Sequence, residues 1–136
     1  MKLLTKAMYK TLPGPHAQES ATLDGVAIHA KFFLSFSNWT WWVSEAWALV
    51  EREPEPDNYN NPDPPELKEV ALCDLDDGDK IEDIIFFGPV RGDFLEWGTF
   101  ALSELEAVRN SVGLKVERDM YWQPTRWGDI SDSEKE

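Results

Sequence analysis

The chain has one cysteine, Cys73, two histidines, His16 and His29, and half as many basic side chains as acidic ones, 13 against 26 in 136 residues. A lone cysteine excludes an internal disulfide and suits a reducing, cytoplasmic setting. Zinc sites draw three or four nitrogen or sulfur ligands together at short spacings, and the sequence holds neither a His-x-x-x-His nor a Cys-x-x-Cys pair. Asp74, Asp76, Asp77 and Asp79 miss the calcium-loop pattern, because counting back from Gly78 puts Cys73 and Leu75 where oxygen ligands are needed. Gly88-Pro89-Val90-Arg91-Gly92 lacks the lysine and the glycine spacing of a phosphate loop, and no serine sits in a nucleophile elbow. No metal, cofactor or catalytic residue is therefore expected. A membrane span is not expected either, since no apolar run approaches the roughly 18 residues one needs, and Lys6 and Lys10 break any signal-like start.

What the chain does have is acid in one place. Residues 1–44 carry a net charge of +2 and residues 84–136 a net of −4, whereas residues 45–83 carry −11 of the total −13. Such a block repels phosphate backbones, which argues against direct nucleic-acid binding, and attracts basic partners. Two readings stay open: solvated loops that keep the protein soluble, or a shaped surface for a basic protein. For the second, the candidate residues are Glu51, Glu53, Glu55, Asp57, Asp74, Asp76, Asp77 and Asp79, with Trp42 as an apolar contact.

The apolar block from Val26 to Leu49 fits an antiparallel hairpin folded about Ser37-Asn38. Pairing Leu34 with Trp41 and Phe32 with Val43 puts an apolar set on one face. Phe33 with Trp42 and Lys31 with Ser44 then fall on a mixed one. If something covers that second face, Phe33 and Trp42 are core; if not, they form an exposed patch of the kind that marks a contact.

Elsewhere, Thr5 to Leu12 reads as a short helix capped by Thr5 and stopped by Pro13-Gly14-Pro15. Residues 51–66, with five prolines and many acids, read as an appended loop. Asp77-Gly78 predicts the turn of a second hairpin between Val70–Cys73 and Ile81–Val90. Ser103 and Glu106 have capping-box spacing for a helix to about Asn110 stopped near Gly113, and Leu114 to Trp122 alternates like a last strand. The expectation is a single α+β domain over residues 1–127, an antiparallel or mixed sheet of about five strands with two short helices, followed by a disordered acidic tail, 128–136.

A competing site is a small-molecule pocket on the mixed hairpin face, around His29, Lys31, Trp42 and Arg118, where polar groups sit beside aromatics. Arg118 alternates with Val116 and Met120, so its guanidinium is expected under the apolar face, held by a carboxylate or carbonyl.

Several segments together resemble a known kind of family. They are Leu3-Leu4-Thr5 with Leu12-Pro13, Lys31-Phe32-Phe33, Ser37-Asn38-Trp39-Thr40-Trp41, Phe86-Phe87-Gly88, Trp97-Gly98 with Phe100, Ser103 to Glu106, and Val116-Glu117-Arg118-Asp119. They look like an uncharacterised family of small bacterial proteins, a domain of unknown function met on phages, plasmids and other mobile elements. The resemblance implies an accessory role without an established activity. Combined with the acidic block, the expected function is a non-enzymatic protein that binds a basic partner, such as a nucleic-acid-binding defence protein, by charge mimicry. The oligomeric state is not read from the sequence.

Overall fold

The computed structural model describes residues 2–52 and 66–136. In chain order the elements are α1 (Lys6–Tyr9), β1 (Ala27–Ile28), β2 (Ala30–Leu34), β3 (Thr40–Val43), β4 (Glu45–Arg52), β5 (Glu66–Ala71), β6 (Lys80–Arg91), β7 (Leu95–Ala101), α2 (Leu102–Ala107), β8 (Val116–Arg118), β9 (Thr125–Arg126) and α3 (Asp132–Lys135). Seven strands form one antiparallel sheet, while β1 and β9 pair separately as a short ribbon. The described residues therefore hold more strands than the expected five and three short helices rather than two.

The long strand β6 organises the sheet. Along one edge it pairs with β7; along the other it pairs with β4 and then β3, which are successive parts of one chain run. Beyond that run lie β2 with β8 next to β3, and β5 next to β4. Between Trp41↔Val90 and Glu45↔Phe87, three residues on the β3–β4 side oppose Gly88 and Pro89. This is a β-bulge. Phe87 O accepts from both Ser44 N and Ser44 Oγ at 2.8 Å, while Pro89 brings no N–H to a place where the ladder is interrupted. Gly88 is required there, since a Cβ would lie 1.9 Å from Trp42 O.

The bulge reverses the alternation of the strand. Trp41 and Val43 point into the main core before it, and Ala46, Ala48 and Val50 after it. Their companions are Phe32 and Leu34 of β2, Ile84 and Phe86 of β6, and Phe100 of β7, closed over by Leu3, Leu12, Leu72 and Leu105. Phe32 and Phe86 meet edge to face at 5.4 Å.

The predicted first hairpin forms with its two sets on the predicted faces, but the register differs by two. Ala30 pairs with Val43 and Phe32 with Trp41. The loop is four residues, 35–38, because Ser37 folds it: Ser37 Oγ donates to Leu34 O at 2.6 Å and accepts from Trp39 N at 3.1 Å. Phe36 is thereby held at φ +58°.

Other expectations are corrected as well. Asp77-Gly78 does turn the chain, with Asp79 N donating to Asp76 O at 3.0 Å, but no second hairpin results, because β5 and β6 flank β4 on opposite sides. The chain between them crosses β4 and drops Leu72 into the core; Cys73 lies exposed in its 3₁₀ turn rather than in a strand. Helix α2 is not capped by its own Ser103; Asp83 of β6 accepts from Ser103 N at 3.2 Å and from Ser103 Oγ. Gly113, at φ +85°, closes a separate turn from Asn110 rather than ending α2. The expected last strand shrinks to β8, and the residues expected to form an acidic tail are folded. A 3₁₀ turn at Trp127–Asp129 and α3 follow β9, and Trp127 and Ile130 are buried. They form a second core with Val26, Ile28 and Trp42 on the opposite side of the sheet, where Trp42 and Trp127 meet edge to face at 5.3 Å.

Candidate functional site

The second face is only partly covered. The C-terminal segment lies over the β3 end, leaving an open groove over β4, β6 and β7 of about 630 Å³, with Trp47, Phe87, Trp97 and Thr99 on the sheet side. Its wall is the chain from Pro15 to Val26. Glu45 is the reason that chain sits there: Oε1 accepts from His16 N at 3.0 Å and Oε2 from Gln18 N at 3.1 Å. Gln18 completes the attachment as a surrogate ladder partner. Its Nε2 donates to Ala27 O at 2.9 Å and Ser44 O at 2.8 Å, and its Oε1 accepts from Ala27 N at 2.7 Å. The bulge at Ser44 turns Glu45 and Trp47 toward this face, opposite to Ala46 and Ala48.

The groove is apolar below and acidic at its rim. Phe87 and Trp97 lie 6.1 Å apart between centroids, and Trp97 also meets Trp127 of the second core at 5.5 Å. Exposed Glu19 and Glu69 stand at the opening, with His16 Nδ1 3.9 Å from Glu19. Glu45 is 8% exposed, and among the described residues no lysine, arginine or histidine forms an ion pair with it.

The acids expected to face a partner divide into three groups. Glu51 is paired with Lys80 at 2.9 Å, and Asp79 with Arg52 at 2.9 Å, Asp76 lying 4.0 Å from the same guanidinium. The Arg52 contact and the Asp76 N–H hold the Asp79 carboxyl below its ordinary range, and Asp79 raises Arg52 in turn. Asp74 and Asp77 are exposed. Glu53, Glu55 and Asp57 lie outside the described residues, as does most of the expected loop 51–66, whose ends belong to strands: Arg52 pairs with Glu66. Trp42 is corrected outright. It is fully buried under Trp127 and Ile130 and has no surface to offer.

The competing pocket is brought together in part. His29 and Arg118 line one cavity of about 320 Å³ with Thr5, Met8 and Trp122, and Lys31 Nζ lies 5.7 Å from the centre of the Trp122 ring. Trp42 is apart from it. Arg118 Nη1 reaches Met8 Sδ at 3.3 Å, and burial pushes His29 below its ordinary value.

The sequence reading missed the groove. Glu45, Gln18, Trp47, Phe87 and Trp97 come from four separate stretches, and the signal for it was the loss of strict alternation between Trp41 and Leu49.

No curated protein and no solved structure matches the chain. A family match runs from the end of β5 to just past the 3₁₀ turn of the second core, so it includes Phe86-Phe87-Gly88, Trp97-Gly98 and Glu117-Arg118-Asp119 but none of the N-terminal segments of the expected resemblance. Over residues 71–131 the chain matches the model of an uncharacterised family, described as Protein of unknown function (DUF2958).

Proposed function

We propose that this is a non-enzymatic binding protein that engages a basic protein through the acidic side of the sheet formed by β4, β5 and the crossover to β6. The observation that carries the reading is the exposed acid along that edge, Glu66, Glu69, Asp74, Asp76, Asp77 and Glu82, set on an antiparallel scaffold; it outnumbers the cations beside it, Lys68 at Glu66, Arg52 at Asp76 and Lys80 at Glu82. A net excess of exposed charge steers an oppositely charged partner and fixes its approach more than it supplies affinity, so the complex is salt-sensitive. A nucleic-acid-binding protein is the class of partner the charge suits, and the accessory role on a mobile element that the family resemblance implies belongs to the same proposal.

The test is affinity capture of host nucleic-acid-binding and defence proteins by the full chain at low and raised salt, with duplex DNA as competitor. Basic proteins should be retained at low salt, released by salt and displaced by DNA, and a variant with Asp74→Lys and Asp77→Lys should retain fewer. Absence of any basic nucleic-acid-binding protein at either salt contradicts the reading.

A second reading, a small-molecule site, is favoured by the cavity that joins His29 to Arg118. A guanidinium beside a half-buried neutral imidazole suits a small carboxylate. A thermal-shift screen of organic acids against the parent and Arg118→Gln tests it; no acid that stabilises the parent more than the variant removes it.

A further inference from the structure

We infer that the groove on the second face is a cation site in which Glu45 is the counter-ion, and that its occupant is an arginine or lysine side chain of a bound basic protein. The inference rests on the proposed function for the nature of the bearer, and on the groove itself for the chemistry.

The central observation is the state of Glu45. Its two oxygens accept from the His16 and Gln18 amides, which satisfies hydrogen bonding but supplies no positive charge. Nine-tenths of the residue is out of water, and no cation among the described residues pairs with it. The two amides offset part of the cost of enclosing a carboxylate, and a cation brought beside it would add an attraction that they do not supply.

The groove then offers what the rest of such a side chain needs. The faces of Trp and Phe attract a cation through the ring quadrupole, and their area covers the aliphatic stem. Trp47, Phe87 and Trp97 supply three rings. Glu19 and Glu69 at the rim have the same sign as Glu45, so the path inward is acidic throughout, apart from the exposed His16. About 630 Å³ exceeds one side chain and leaves room for the apolar neighbours of the inserted residue. The wall is fastened at Glu45 and by three Gln18 bonds before any partner arrives, so little ordering is left to be done on binding.

The experiment titrates the full chain with a short peptide of arginine flanked by leucines and with the same peptide carrying citrulline, the neutral isostere, followed by tryptophan fluorescence and calorimetry. Two variants are compared with the parent. Glu45→Gln removes the charge at nearly constant volume, and Thr99→Lys, at an exposed groove position on β7, places a tethered cation in the site without touching the Glu45 bonds. The arginine peptide should bind at least about tenfold tighter than the citrulline peptide, a difference of about 1.4 kcal/mol. Each variant should lose about tenfold or more, with Thr99→Lys still folded by circular dichroism. Equal binding of the two peptides, or undiminished binding by folded Thr99→Lys, overturns the inference. If arginine-peptide binding is salt-sensitive and falls with Asp74→Lys and Asp77→Lys but not with Thr99→Lys, the groove site is wrong and the acidic-surface reading stands. If no arginine peptide binds at low salt, the groove inference is wrong, while the acidic-surface reading stands or falls on the capture experiment.

Discussion

Phe36 is a bulky residue in the left-handed region, φ +58°, with 91% of its surface exposed. Its neighbours hold it there: Ser37 folds the loop, and Asn110 Nδ2 donates to Ser35 O at 2.9 Å. The left-handed conformation costs an L-residue about 1–2 kcal/mol, and an exposed ring regains little of it. Phe36→Gly should therefore raise stability by about 0.5–1 kcal/mol, after the greater freedom of glycine in the unfolded chain offsets part of the gain. Urea denaturation measures this, and a loss of stability would show that the ring is held by contacts. At this scale the sequence was legible wherever a residue acts on its near neighbours. Thr5 does cap α1, accepting from Met8 N at 3.4 Å, and Ser37 does help turn the hairpin, though the turn is centred between Phe36 and Ser37, one residue before the expected Ser37-Asn38. Glu45 and Trp42 were not legible, because their environments come from residues 16–18 and 127–130, far along the chain.

Among the elements, the segment after Pro124 is the one most changed in meaning. Its acidic composition suggested a disordered tail, yet Trp127 and Ile130 close the second core, Lys135 Nζ lies 4.5 Å from the centre of the Trp127 ring, and Arg91 fastens the end with a 2.8 Å bond to Glu136 O. Two apolar side chains were enough to outweigh the charge around them. Each contributes about 1.5–3 kcal/mol when fully buried, so truncation after Pro124 should destabilise the fold by about 3–6 kcal/mol and shift tryptophan emission to the red as Trp42 meets water. Unchanged emission would mean that Trp42 is shielded by something else. The crossover between β5 and β6 carries a pH dependence. The Asp79 carboxyl is held low by Arg52 first and by the Asp76 amide second. A depressed carboxyl stabilises the fold above the pH at which an unfolded aspartate titrates, and the contribution is lost as pH falls through the lowered value. Melting temperature measured from neutral to acid pH should fall less steeply in Asp79→Asn than in the parent; parallel curves would contradict the pairing. The Asp77-Gly78 turn was legible as a turn and misread as a hairpin, because local propensity says where a chain bends and not which strand it bends toward.

Over the whole molecule, one antiparallel sheet separates two unlike faces. The first is a closed core running from Phe32 to Phe100; the second is closed at one end by the C-terminal segment and open at the other as the acid-rimmed groove. The predominance of sheet and the concentration of acid were legible from alternation and charge counts alone. The division of acids into ion-paired ones, such as Glu51 and Asp79, exposed ones, such as Asp74 and Asp77, and the enclosed Glu45 was not, since it depends on the bulge at Ser44 and on strand order. Among the described residues no helix is long and apolar enough to cross a membrane. The most direct test of the central claim, that the second face binds a cationic side chain, uses the indole N–H signals of the seven tryptophans as reporters in a ¹H–¹⁵N spectrum of the full chain. On addition of the arginine peptide, the Trp47 and Trp97 signals should shift saturably, while those of enclosed Trp42 and of Trp39 at the far hairpin tip stay in place. Shifts at Trp39 without shifts at Trp47 and Trp97, or no shift at any indole while the peptide binds, would contradict the account.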